Sequence, residues 1–257
     1  MSTWKELLSG DGRFAVAHRG FSAHCPENTL PAFQAAIDTG APALELDVRL
    51  TRDRVPVVIH DDTLDRTTNG SGRVDEHDAS AISKLDAGSW FGPAHGGATV
   101  PLLETVLAIL ADRILVNIEL KPVATDEPPH ADDLAVQVAH LIHKLRMEER
   151  VIVSCFDADQ VEQVRAARDG IRASLLVEEV GDVREVLLGA EAMDALFVSP
   201  DADLLEEGSV RAFTEAGMPV VPYVANDAPT MHRLLDWSVR GFFTDEVDLA
   251  QRVLEEA

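Results

Sequence analysis

The side chains able to do chemistry in this chain come in short clusters: His18-Arg19, Glu45 and Asp47, His60-Asp61, and Glu119 with Lys121. Two imidazoles suit a reaction in which one group takes a proton from a nucleophile and another returns one to a leaving group near neutral pH. Glu45, Asp47 and Glu119, brought together without a counter-charge, would repel and raise one another's pKa. One divalent hard cation with oxygen ligands, Ca2+ or Mg2+, resolves that conflict. The competing reading is plain pairing of Glu45 and Asp47 with Arg49, Arg52 or Lys121. Arg19 offers a planar fork and Lys121 a compact ammonium, a combination that matches a phosphate anion. Together these residues point to metal-assisted phosphoester chemistry with two histidines.

Strand periodicity brings the acids together. In a strand Ala43–Val48, alternation sets Leu44, Leu46 and Val48 on one face and Ala43, Glu45 and Asp47 on the other. In a strand Ile114–Leu120, Ile114, Val116, Ile118 and Leu120 separate in the same way from Leu115, Asn117 and Glu119, with Lys121 following on the polar side. Further strand-length apolar runs occur at Phe14–His18, Val151–Cys155, Ala173–Val177, Ala195–Ser199, Val220–Val224 and Gly241–Thr244. Helical apolar spacings follow them, as at Leu30/Phe33/Ile37, where Asn28 is placed to cap, and Leu134/Val138/Leu141/Ile142/Leu145. Eight such units predict an α/β fold, a TIM (β/α)8 barrel with its site at the C-terminal strand ends; a doubly wound open sheet is the competing architecture.

One connection breaks the rhythm. Val55–His60 reads as another strand, too close behind Leu50 for a crossover, so it returns as a hairpin arm. With Thr51–Arg54 as the turn, the pairing is Leu50/Val55, Val48/Val57 and Glu45/His60. Residues about 62–100, rich in Gly, Asp and Ser, form a small inserted subdomain over the barrel mouth, within a single domain spanning 1–257. The linker-like patch Ala124–His130 reads as a βα loop.

The chain has 257 residues, 46% of them apolar, and 22 Lys and Arg against 45 Asp and Glu give a formal net charge of -23. No broad basic surface is available for nucleic acid or an anionic membrane, so an anionic ligand must meet local positive charge or a metal. No run approaches the ~18 apolar residues of a membrane span, and two cysteines, Cys25 and Cys155, suggest a reducing compartment. These features predict a cytoplasmic protein without stable membrane association, a monomer or small homo-oligomer. Glycine-rich stretches at Asn69–Gly72 and Gly96–Gly97 lack both the P-loop and dinucleotide patterns.

An ordered set of motifs resembles the glycerophosphodiester phosphodiesterases: His18-Arg19-Gly20, Pro26-Glu27-Asn28-Thr29, Glu45-Leu46-Asp47-Val48, His60-Asp61, Leu64-Asp65-Arg66-Thr67-Thr68 and Glu119-Leu120-Lys121. Later matches include Leu85-Asp86-Ala87-Gly88-Ser89-Trp90-Phe91, Ser154-Cys155-Phe156, Tyr223-Val224-Ala225-Asn226 and Thr244-Asp245. The resemblance implies that His18 and His60 are the acid/base pair. It implies that Glu45, Asp47 and Glu119 hold the metal and that Arg19 and Lys121 bind phosphate. Glu27 and Asn28 would orient the first histidine or touch substrate, and Phe156 and Tyr223 would line the pocket for the glycerol or leaving alcohol. The implied reaction is hydrolysis of a glycerophosphodiester, such as glycerophosphocholine or glycerophosphoethanolamine, to sn-glycerol 3-phosphate and an alcohol. A lysophospholipase D-type relative and a non-catalytic phosphodiester-binding barrel are the alternatives. Val224-Ala225, where the family often reads Thr-Val, bears on the choice of alcohol.

Overall fold

A computed structural model describes residues 3–121, 134–156 and 158–256, so the patch Ala124–His130 lies outside the described residues. The strands are β1 Phe14–Ala17, β2 Ala43–Leu50, β3 Pro56–Val58, β4 Leu115–Leu120, β5 Val151–Cys155, β6 Arg172–Val177, β7 Ala195–Pro200 and β8 Gly241–Thr244. Around them lie α1 Trp4–Ser9, α2 Leu30–Asp38, α3 Ala79–Ile82, α4 Leu103–Leu110, α5 Leu134–Lys144, α6 Ala158–Ala167, α7 Val183–Ala192, α8 Glu207–Glu215, α9 Ala228–Asp236 and α10 Val247–Glu256. The hydrogen-bonded order is β7-β6-β5-β4-β2-β1-β8, parallel throughout, with β3 antiparallel on β2.

The segment expected as a strand at Val220–Val224 forms no continuous ladder, because Pro219 and Pro222 remove the amide donors that a ladder needs. It still bridges the two edge strands. Tyr223 N–H donates to the Pro200 carbonyl (3.0 Å) beside β7, and Phe243 N–H of β8 donates to the Pro222 carbonyl (2.9 Å). The curled sheet is thereby closed into the α/β barrel that the strand count predicts.

Alternation sorts the core into layers. Leu44, Leu46, Val48, Val116 and Ile118 pack outward against the helices, while Phe14, Val16, Ala43, Leu115, Ile152, Phe197 and Phe243 fill the barrel interior. Trp4 of α1 closes the foot of that interior. It is 1% exposed, and its indole N–H is shared between the Val116 (3.2 Å) and Arg150 (3.1 Å) carbonyls. With the foot packed shut, a ligand cavity among the described residues lies at the opposite end.

The hairpin register differs from the expected one. Thr51 N–H donates to Val55 O (3.2 Å) and the Thr51 hydroxyl accepts from Val55 N–H (3.0 Å), so the turn runs one residue longer. The pairing becomes Leu50/Pro56 and Val48/Val58, and His60 does not stand opposite Glu45. Beyond the hairpin, Val57, Ile59, Leu64, Val74, Ile82 and Val100 form a separate small core.

Candidate active site

The C-terminal ends of the strands surround a cavity of about 420 Å3, lined by His18, Arg19, Glu45, His60, Glu119 and Lys121 together with aromatic and acidic residues from later strands. Parallel register sets its acidic floor, since Asp47 of β2 lies beside Glu119 of β4 and Glu45 beside Asn117. One oxygen from each of Glu45, Asp47 and Glu119 lies within 4.8 Å of the others. Glu45 and Asp47 are 1% and 0% exposed.

The electrostatics match that crowding. Burial, then Asp47 and Glu119, pushes Glu45 well above the ordinary carboxylate value, and burial with Asp47 raises Glu119. Burial would raise Asp47 too, but Lys121 and Arg19 hold it below its usual range. The Lys121 ammonium is hydrogen-bonded to Glu119 and lies 3.0 Å from Asp47 Oδ1, while Glu45 Oε1 is buried with no hydrogen-bond partner among the described residues. An orphaned oxygen in a set of three close carboxylates fits a cation with oxygen ligands. The pairing of Asp47 with a cationic side chain, weighed in the sequence, is thus also present.

The turn after β1 carries two further groups. His18 follows the strand directly, with its N–H on Thr244 O (2.9 Å). Arg19 adopts φ 56°, a left-handed conformation uncommon outside glycine, and this aims its N–H at Glu45 Oε2 (2.8 Å). Its guanidinium reaches Glu27 (2.8 Å) and approaches Asp47 (3.3 Å). Burial would lower the Arg19 pKa, yet Asp47, Glu27 and Glu45 raise it on balance. Gly20 completes the turn at φ 82°, where a Cβ would stand 2.7 Å from the Ala32 backbone.

Both imidazoles are oriented by carboxylates. His18 Nδ1 lies 2.7 Å from Asp245 Oδ1, and His60 Nδ1 lies 2.7 Å from Asp61 Oδ1. Asp61 is held below the ordinary range first by hydrogen bonds from Arg66, and Asp245 is drawn down to about 2 by His18, Ser22 and Asn226 against the opposing effect of burial. An ionised carboxylate only accepts, so each Nδ1 carries the proton and each Nε2 is left free for the cavity. Burial pushes His60 below the ordinary imidazole value, with Asp47 partly offsetting it.

The cavity brings together both histidines, Arg19, Lys121, Glu45, Glu119, Phe156 and Tyr223. Glu27 stands beside Arg19 and Arg66, which together hold it below the usual carboxylate range although burial opposes them. Asn28 is buried and does not cap α2; its amide donates to Asp47 Oδ2 (2.7 Å) and accepts from Asp47 N–H (3.1 Å), and Thr29 holds the N-cap position ahead of Leu30. Sequence reasoning missed Asp245 as a partner of His18, with Ser22 and Asn226 behind it, and missed Asp201 and Asp203 on the cavity wall. The Thr244-Asp245 motif at the end of β8 was the available signal for the first of these.

A family model described as the glycerophosphoryl diester phosphodiesterase family matches residues 18–249. The chain belongs to that family. A glycerophosphodiester phosphodiesterase of Bacillus subtilis (strain 168) is 34% identical over 96% of this chain and 88% of its own length. Its counterpart from Caldanaerobacter subterraneus subsp. tengcongensis is 35% identical over 90% of this chain and 93% of that protein. Among solved structures, a glycerophosphodiester phosphodiesterase from Agrobacterium tumefaciens str. C58 superposes with TM-score 0.79 at 30% identity, covering 93% of this chain and 99% of that one. An Oleispira antarctica phosphodiesterase in complex with the product sn-glycerol-3-phosphate has the same fold, with TM-score 0.83 at 24% identity over 94% and 96% of the two chains. The protein is an enzyme, a glycerophosphodiester phosphodiesterase by family and by relatives. Among the described residues no helix is long and apolar enough to cross a membrane.

Proposed function

We propose that this enzyme hydrolyses glycerophosphodiesters, such as glycerophosphocholine or glycerophosphoethanolamine, to sn-glycerol 3-phosphate and an alcohol, with His18 and His60 moving the protons. The observation that carries this reading is the pair of carboxylate-anchored imidazoles beside Arg19, Lys121 and the three-acid cluster in one cavity. Arg19 and Lys121 bind the phosphoryl oxygens. One Nε2 takes a proton from the attacking oxygen as its bond to phosphorus forms, and the other imidazolium protonates the alcohol oxygen as its bond to phosphorus breaks. A divalent cation, Ca2+ or Mg2+, held by Glu45, Asp47 and Glu119 would offset the diester's charge and polarise the phosphoryl oxygens. Asn28, through Asp47, and Glu27, through Arg19, act as positioning residues, and Phe156 and Tyr223 bound the organic part of the substrate.

We place the activity in the cytoplasm, on a single domain acting as a monomer or small homo-oligomer; a content of only two cysteines in 257 residues supports the reducing compartment. The test is release of sn-glycerol 3-phosphate from a panel of such diesters with added Ca2+ or Mg2+, read by a coupled dehydrogenase. His18→Asn and His60→Asn are each expected to lower kcat by roughly 10²- to 10⁴-fold. No release from any diester with either metal overturns the reading.

A further inference from the structure

The cavity has two chemically different ends. One carries the histidines, Arg19, Lys121 and the acid cluster; the other is walled by Phe156 after β5, Asp201 and Asp203 after β7, and Tyr223 of the closing segment. Nearly every carboxylate at the first end faces a cationic partner: Asp61 and Glu27 face Arg66, Asp47 and Glu119 face Lys121, and Asp245 faces His18. Among the described residues no Lys, Arg or His pairs with Asp201 or Asp203. Arg233 of α9 is turned instead to the Ala202 carbonyl (3.0 Å) and the Trp237 ring (5.4 Å).

This wall is also firmly held. Asp201 N–H donates to Val177 O (3.1 Å) and Asp201 Oδ1 accepts from Asp203 N–H (2.8 Å). The Tyr223 hydroxyl donates to Val177 O (3.3 Å), which fixes the ring, and Phe156 meets it edge-on at 6.1 Å. Phe156 is 53% exposed, so core packing does not explain a large ring at this position. Between the two ends, Asn117 lines the cavity floor beside Glu45 and is 1% exposed, with its Oδ1 unpartnered among the described residues, a sign that the cavity as a whole is shaped for a polar ligand.

Two unneutralised carboxylates near the binding place of an anionic phosphodiester repel a substrate that brings only negative charge. A substrate with a positive group on its alcohol converts that repulsion into attraction, and an aromatic face adds to it. We propose that Asp201, Asp203, Phe156 and Tyr223 form a cation-accepting subsite that selects glycerophosphodiesters whose alcohol bears an ammonium group. This rests on the hydrolytic reading above and adds to it the class of leaving alcohol.

The experiment compares kcat/KM for glycerophosphocholine and glycerophosphoethanolamine with that for glycerophosphoglycerol and glycerophosphoinositol. The wild type is expected to favour the ammonium diesters by about tenfold or more. In Asp201→Asn/Asp203→Asn, where the amide oxygen keeps the loop's acceptor, the preference falls to within about twofold. Phe156→Leu, at an exposed position, reduces the preference on its own. No preference in the wild type, or an equal loss on all four diesters, which carboxylates holding the glycerol hydroxyls would produce, overturns the subsite. Calorimetric binding of glycerophosphocholine and glycerophosphoglycerol to His60→Asn separates the two readings: a binding preference without turnover in the wild type counts against hydrolysis alone, and turnover without a preference counts against the subsite alone.

Discussion

Asp245 is placed to act through His18, whose Nδ1 it meets at 2.7 Å. Its two oxygens receive His18, Ser22 and the Asn226 amide, and its own N–H is held by Asn226 Oδ1 (2.8 Å). The carboxylate fixes the His18 ring with its proton on Nδ1. Asp245→Asn keeps the shape but offers an amide that can present its N–H to Nδ1 and favour the opposite tautomer. The expected outcome is a fall in kcat of about 10²- to 10⁴-fold with KM held within about threefold, measured by steady-state kinetics on glycerophosphocholine. A parallel rise in KM would instead mark Asp245 as a substrate contact. Glu45, Asp47 and Glu119 were legible in the sequence because strand alternation is a local property that two neighbouring strands share. The partnership of His18 with Asp245 spans 227 residues and exists only because β8 closes the barrel against β1, so no local pattern announces it.

At the scale of elements, the sequence shows most of the strands and helices through their periodicity but not the irregular joins that aim the site. The hairpin slipped by one because Thr51 closes the turn on Val55 with both its backbone and its hydroxyl, a choice invisible in the apolar pattern. The closing segment loses its ladder to Pro219 and Pro222, whose missing amide donors an apolar pattern does not register. The β1–α2 turn is the join with the clearest consequence. Arg19 and Gly20 both sit at positive φ, and Gly20 lies against the Ala32 backbone of α2. Gly20→Ala meets both the unfavourable φ and a contact with backbone that cannot rotate away. It is expected to destabilise the fold by roughly 2–3 kcal/mol in urea denaturation and to lower activity, since the Arg19 N–H then leaves Glu45. Unchanged stability and turnover would mean that the turn relaxes without disturbing the site.

At the scale of the molecule, a formal charge of -23 leaves self-repulsion that both simple salt and a bound cation would relieve, by different routes. Salt screens charges spread over the surface. Glu45 and Asp47 are buried beneath the barrel mouth, where screening is weak and a directly bound ion is the effective relief. Melting temperature therefore distinguishes the two. A cation that binds the folded chain alone stabilises it by about 2.7 kcal/mol at a hundred times its dissociation constant. For a chain of this size that corresponds to a rise of roughly 5–10 °C. Ca2+ or Mg2+ is expected to produce such a rise beyond that of NaCl at matched ionic strength, and a chelator is expected to reverse it. Glu45→Gln, which removes one charge from the cluster, should lose the divalent increment while keeping the NaCl response. If NaCl alone reproduces the whole effect, the three carboxylates are neutralised by Arg19 and Lys121, and phosphate is bound without a metal between it and the barrel floor.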